Sequence, residues 1–269
     1  MSWINKRNFM TESESLRFGG IARLYGKSAL KRFSQSHIMV IGIGGVGTWV
    51  AEALARSGIG CISLVDLDDI CVTNINRQAH ALTSTVGQSK VEVMAQRLLD
   101  INPELTIHQI EDFALPDNLE QIIPTDITYV IDCTDAVATK AALIAYCKRH
   151  KIKMLTVGGA GGQVDPTQIK VTDLAKTTQD PLASKVRQTL RKDYGFTKNL
   201  KRRFQIPCVY STEQLVYPTQ EGEVCTTKQQ SDGVLKMDCE QGFGSSTVVT
   251  GTFGFVAAAH VLQKIAQNS

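Results

Sequence analysis

No C-x-x-C pair occurs in this chain, although it carries seven cysteines, Cys61, Cys71, Cys133, Cys147, Cys208, Cys225 and Cys239. Scattered thiols of odd number do not make a disulfide framework and fit a reducing cytosol. An excess of one charge is also missing: the formal net charge of +3 averages over the whole surface and selects no class of partner. No secretory leader is expected, because Met1 to Leu16 is polar and charged. Charge disappears altogether from Gln241 to Gln263, and Phe243 to Leu262 is about long enough to cross a hydrocarbon layer. The uncharged stretch from Gln241 to Gln263 nevertheless carries Ser245, Ser246, Thr247, Thr250, Thr252, His260 and four glycines. A helix buried in a large α/β core is therefore the expectation, with membrane association through residues 243–262 as the other reading.

At 269 residues and 43% hydrophobic, the chain can bury a sizeable core as one large α/β domain or a domain with a modest extension. His37 to Ile41 reads as a short β-branched strand, and Val46 to Ser57 as a helix with Val46, Val50, Ala53 and Leu54 on one face. Between them runs Gly42-Ile43-Gly44-Gly45-Val46-Gly47. Gly42, Gly44, Gly45 and Gly47 permit a tight turn and close approach of backbone to phosphate, while the amides of the helix start point at the anion. A second strand, Ile62 to Asp66, ends on a carboxylate about twenty residues on, where an acid binds a ribose hydroxyl. A nucleotide is the expected ligand, although the glycines alone would serve a nicotinamide dehydrogenase equally.

The alternation continues with a helix near Ser89 to Leu99, strands near Thr106 to Ile110 and Ile127 to Asp132, and a helix near Val137 to Lys148. Strands near Met154 to Val157 and Ile169 to Thr172 follow. This order predicts an α/β fold with a doubly wound, mostly parallel Rossmann-like sheet and helices on both faces. Asp180 and Pro181 signal the start of a further helix over Leu182 to Tyr194, and Gly195 to Val234 reads as polar loop. The expected organisation is a single domain over 1–269. Within it, 37–173 forms the nucleotide-binding core, and 174–269 a basic helix-and-loop region followed by the apolar helix.

Four polar motifs appear in order: Asp66-Leu67-Asp68-Asp69, Asn74-Ile75-Asn76-Arg77-Gln78, Gly87-Gln88-Ser89-Lys90 and Asp132-Cys133-Thr134-Asp135. Together they resemble the ubiquitin-activating superfamily, whose members include bacterial adenylyltransferases of sulfur-carrier proteins. The resemblance implies ATP, magnesium and attack of a carboxylate on the α-phosphate, a step in which two anions meet and cations must offset their charge. It gives Asp66 to the ribose, Arg77 and Lys90 to the phosphates as catalytic cations, and Asp135 to the magnesium, with Asn74 and Gln78 as supporting polar contacts; Asp68 and Asp69 either join the nucleotide site or form a solvated turn or helix start. Asp132 reads as a strand-end cap or ion-pair partner. Related dimers pass an arginine to the neighbouring subunit's phosphates, so the resemblance implies a homodimer in which Arg17 or Arg23 is that arginine. Sulfur-carrier adenylyltransferases hold zinc on two C-x-x-C pairs; Cys208, Cys225 and Cys239 stand singly here, and no zinc is expected.

Over nearly the whole chain, the sequence is similar to the bacterial tRNA threonylcarbamoyladenosine dehydratase family. The likeness rests on Arg17-Phe18-Gly19-Gly20, Arg23-Leu24-Tyr25-Gly26, Gly158 to Thr167, Thr172 to Thr177 and Gln179-Asp180-Pro181-Leu182. Met237-Asp238-Cys239 and Gly242-Phe243-Gly244 complete it. It implies a cytoplasmic enzyme of the ligase or cyclase class that adenylates a threonyl carboxylate next to the anticodon and closes a ring, releasing AMP and pyrophosphate. The alternative is adenylation of the C-terminus of a ubiquitin-like sulfur carrier, although no such carrier is expected as partner. Cys239 is either a buried thiol or a relay thiol served by a cysteine desulfurase or sulfur-relay protein. Gly158 to Gly162 either shapes the floor of the site or presents carbonyls to sodium or potassium. A tRNA partner should meet basic charge, and Lys185, Arg187, Arg191, Lys192, Lys198, Lys201, Arg202 and Arg203 supply it, with Tyr194, Phe196 and Phe204 interleaved. Such a cluster tracks a phosphate backbone while an aromatic stacks on a loop base; a solvated helix and loop is the other reading.

Overall fold

The short apolar runs form the strands of one seven-stranded sheet in a computed structural model that describes residues 12–219, 222–226 and 243–267. Met237, Asp238, Cys239 and Gly242 lie outside the described residues. The strands are β1 (His37–Ile41), β2 (Cys61–Val65), β3 (Thr106–Ile110), β4 (Tyr129–Asp132), β5 (Met154–Val157), β6 (Ile169–Asp173) and β7 (Pro207–Ser211). Their order across the sheet is β3-β2-β1-β4-β5-β7-β6. Every neighbouring pair is parallel except β6 with β7. All five residues of β1 and of β2 are buried, which is why each is mostly apolar without strict alternation, His37 and Ser63 being the polar exceptions.

The helices are α1 (Glu12–Tyr25), α2 (Lys27–Ser34), α3 (Gly47–Arg56), α4 (Lys90–Ile101), α5 (Leu119–Ile122), α6 (Val137–Arg149), α7 (Pro181–Asp193) and α8 (Thr247–Gln267). Alternate strand residues feed two cores. Ile38, Val40, Ile62 and Leu64 pack with α2, α3, α4 and α8, and Met39, Ile41 and Val65 with α5, α6 and α7. The start of α7 is set as expected, Asp180 Oδ1 accepting from the Ala183 amide at 2.8 Å with Pro181 in the first turn, and at the start of α4 Ser89 Oγ accepts from the Glu92 amide at 3.4 Å.

Two features depart from the sequence reading. β7 lies inside the segment read as loop, because Phe204, Ile206, Cys208, Val209 and Tyr210 are buried there, and it enters the sheet between β5 and β6. β6 is therefore an antiparallel edge. A small hairpin, β8 (Tyr217–Pro218) with β9 (Val224–Cys225), stands apart from the sheet.

The uncharged segment forms α8, which is long and apolar enough to cross a membrane by length and composition, yet 56% of its apolar window is buried. Val249, Phe253, Ala257, Val261 and Ile265 enter the core. Contact with α3 is close enough that a Cβ on Gly254 would come within 2.8 Å of Val46 O. Arg32 Nε donates to the Ile265 carbonyl at 3.1 Å, satisfying a group the helix end leaves bare.

Candidate active site

Strand order reverses between β1 and β4, and in such sheets the crevice for a ligand opens beyond the carboxyl ends of those two strands. The glycine turn after β1 meets the loop after β4 there. Gly42 has φ +87°, and a Cβ on it would lie 2.9 Å from the Cys133 carbonyl carbon; one on Gly47 would lie 1.8 Å from Gly42 O. Neither position admits a side chain, so backbone lines the crevice.

Asp66, immediately after β2, is fixed by two amides: Ile43 N donates to Oδ2 at 2.6 Å and Asp68 N to Oδ1 at 3.0 Å. Burial pushes its carboxyl up from the usual range, against the opposing pull of Lys90 and those two amides. Lys90 opens α4 and is only 6% exposed. Its Nζ lies 2.7 Å from Asp68 Oδ2 and 3.8 Å from Asp66 Oδ1, so the acid and the cation singled out in the sequence stand side by side.

Arg77 lies across the glycines from the other side. A Cβ on Gly45 would approach its Cγ and Cδ to 3.1 Å, and its Nη1 donates to Thr73 O at 2.8 Å and Asn76 Oδ1 at 2.9 Å. Gln78 is buried near Gly44, with Oε1 making no hydrogen bond. Asn74 is buried too, but its Oδ1 accepts from the Cys71 amide at 3.0 Å, so it shapes the turn that carries Arg77. Three further residues position that turn and were not read from the sequence. Trp49 Nε1 donates to Arg77 O at 3.0 Å, Asn76 Nδ2 donates to Ser245 O at 2.9 Å, and the Thr247 hydroxyl donates to Asn76 O. Only Asn76 carried any local signal, since it sits inside the motif; the other two contacts join distant parts of the chain.

Of the two aspartates after β4, Asp132 is fully buried and already engaged. Lys140 Nζ lies 2.9 Å from its Oδ2, Thr156 Oγ1 donates at 2.6 Å, and the Thr134 amide and hydroxyl donate to Oδ1 at 3.1 and 2.7 Å. It holds the loop, and Asp135 is the exposed carboxylate that the loop presents. Beyond β5, the Gly159 amide donates to Asp180 Oδ2 at 3.0 Å, and a Cβ on Gly158 would lie 1.8 Å from the same oxygen. The cap of α7 is thereby pinned to the glycine loop, whose Gly159 carbonyl accepts from Gln163 Nε2 at 2.9 Å.

The eight cationic residues of the basic region divide. Lys185, Lys192, Lys198, Lys201, Arg202 and Arg203 are exposed. Arg187 is turned to the Thr177 hydroxyl, and Arg191 lies over the Phe204 ring at 5.2 Å, so both serve packing rather than a free surface. The aromatics depart from the base-stacking expectation as well: Phe204 is buried and meets Phe196 edge-on at 5.0 Å. A cavity of about 1010 Å³ lies elsewhere, lined by Arg56, His80, Gln96 and Arg97 and by Arg17, the candidate for a neighbouring subunit's phosphates, but by none of the residues assigned to the chain's own nucleotide. His80 is 1% exposed with neither ring nitrogen hydrogen-bonded; burial, then the charges of Lys90 and Arg97, push it down to about 4.

A family model described as the ThiF family matches residues 20–269. The chain is 58% identical over 249 residues to the tRNA threonylcarbamoyladenosine dehydratase of Escherichia coli, covering 93% of each chain. To the protein of the same name from Haemophilus influenzae it is 55% identical over 249 residues, again 93% of each. Among solved structures, E. coli tRNA N6-threonylcarbamoyladenosine dehydratase in complex with ATP superposes with a TM-score of 0.85 at 53% identity, covering 96% of both chains.

Proposed function

The chain belongs to the ThiF family, and from that premise we propose that it is an ATP-dependent tRNA threonylcarbamoyladenosine dehydratase. The threonyl carboxylate, on a modified adenosine next to the anticodon, attacks the α-phosphorus of ATP and displaces pyrophosphate. A ureido nitrogen of the same group then attacks the activated carbonyl, gives its proton to solvent, and AMP departs. The carboxylate oxygen leaves on AMP, so the product is the substrate less one water. Ring closure within one group needs no protein nucleophile.

The observation that carries this reading is the convergence of Arg77, over Gly45, and Lys90, beside Asp66, on one glycine turn where strand order reverses. In this scheme Asp66 takes the ribose, and the two cations offset charge that builds on the phosphates. Magnesium keeps few protein ligands and completes its shell with water and phosphate oxygens, which a single exposed Asp135 suits; bound there, it would neutralise the departing pyrophosphate. Carbonyls of Gly158 to Gly162 are the candidate seat of sodium or potassium.

The working unit in this scheme is a homodimer through α1, where Leu16 and Leu24 are 81% and 74% exposed and Arg17 or Arg23 would reach the partner's phosphates. The reaction is placed in the cytoplasm, with α8 in the core rather than in a bilayer. A cysteine desulfurase or sulfur-relay partner would act through Cys239 and takes no part in the cyclisation. Purified protein with ATP and tRNA bearing threonylcarbamoyladenosine should release pyrophosphate and yield a nucleoside lighter by one water. Release that needs a carrier protein ending in diglycine, and not the modified tRNA, would overturn the assignment.

A further inference from the structure

At the end of the sheet away from the nucleotide crevice, the starts of β1, β2 and β3 bring unlike donors together. His37 stands in register with Cys61, and Ser63 with His108. Residues two apart along a strand share a face, so all four side chains line one side of the sheet edge. One ring nitrogen of each histidine and Cys61 Sγ lie within 4.8 Å of one another. Asp126, in the loop before β4, brings Oδ1 to 3.6 Å from His37 Nδ1. That loop is held in place: Thr128 N donates to His37 O at 2.8 Å, and His37 N to Thr128 Oγ1 at 3.0 Å.

The second nitrogen of His37, Nε2, lies 2.8 Å from Ser63 Oγ. Ser63 thereby holds the imidazole through Nε2, and Nδ1 faces the Asp126 carboxylate. A metal on Nδ1 would select the tautomer whose proton sits on Nε2 and is donated to the Ser63 hydroxyl. We propose that His37, Cys61 and His108, with Asp126 completing the set, hold a divalent transition-metal ion of the zinc class. Imidazole and thiolate select such ions over magnesium or calcium. Bonds of about 2.0–2.3 Å place tetrahedral ligands somewhat nearer together than these atoms now stand, a closure of about 1 Å that side-chain rotation supplies. Loading displaces the Cys61 thiol proton to solvent. Ser63 is a positioning residue, fixing the imidazole through the nitrogen that does not bind metal. Four protein ligands make this a closed, structural site that ties three strands and a loop. It is separate from the later cysteines whose spacing argued against zinc.

Cobalt(II) added to the chelator-treated full-length protein tests this. One equivalent should bind per chain, with tetrahedral d–d absorption and a thiolate-to-cobalt charge-transfer band. Cys61→Ser should lose that band, and His108→Gln and Ser63→Ala should each bind cobalt about tenfold or more weakly. ATP-dependent pyrophosphate release at the wild-type rate, from the other end of the sheet, identifies variants that have folded. A charge-transfer band that persists in folded Cys61→Ser, or no cobalt uptake by the wild type, would overturn the site.

Discussion

Lys90 and Arg77, the two cations proposed to meet phosphate, are held in different ways. Two carboxylates hold the Lys90 ammonium at the first turn of α4, so a buried cation with one short partner needs little reordering to meet an anion. Arg77 is anchored through its stem over Gly45 and through Nη1, and a guanidinium carries further donors beyond that nitrogen. Arg77→Ala and Lys90→Ala should each lower turnover by roughly a hundredfold or more, on the scale of losing one preorganised charge contact in a transition state. Pyrophosphate release measured on folded variants decides, and rates within a few-fold of wild type would remove the residue from the chemistry. His80 gives a pH dependence. Its pKa is pushed down to about 4 from 6.5, so its neutral form stabilises the fold above pH 6.5, and that contribution is lost as pH falls toward 4. The loss amounts to about 3 kcal/mol. Denaturation midpoints should fall between pH 7 and pH 4.5, and His80→Gln should flatten the fall; an unchanged profile in the variant would exclude His80 as its source.

At the scale of elements, the glycine turn is a steric filter. Gly47→Ala places a methyl 1.8 Å from Gly42 O, so the turn must open, and ATP affinity should drop at least about tenfold with a lowered melting temperature. Gly44→Ala meets nothing nearer than Gln78 Nε2 at 3.9 Å and should keep the fold, and calorimetric titration with ATP compares the two. This element was legible in the sequence because its cause is local: a buried strand is a mostly apolar run, and glycine marks where backbone must cross. The N-cap of α7, Asp180 before Pro181, was legible for the same reason. β7 was not, since its short apolar run opens on proline amid polar sequence and does not by itself show that it pairs between β5 and β6. The antiparallel sense of β6 has no sequence signal at all. Nor did the hold of Trp49 and Thr247 on the Arg77 turn, which appears only once α3 and α8 are packed.

Across the whole molecule, the basic region shows how far a charge count goes. Eight cations were visible, but which of them face outward depends on Thr177 and the Phe204 ring, contacts that the count does not contain. Replacing Lys201, Arg202 and Arg203 by alanine should weaken tRNA binding and reduce the slope of log K against log salt by about one per lost phosphate contact. Arg191→Ala should instead lower the melting temperature and leave the slope nearly unchanged. Equal slopes in wild type and the triple variant would take that loop off the RNA.

The seating of α8 against α3 also bears on how the protein is made. The groove beside Trp49 and Val50 is filled by a helix that the ribosome delivers roughly ten to forty seconds later, at about 5–20 residues per second. Throughout that interval the apolar flank of α3 that α8 later covers stays open to solvent. The larger core is complete only once that helix has emerged.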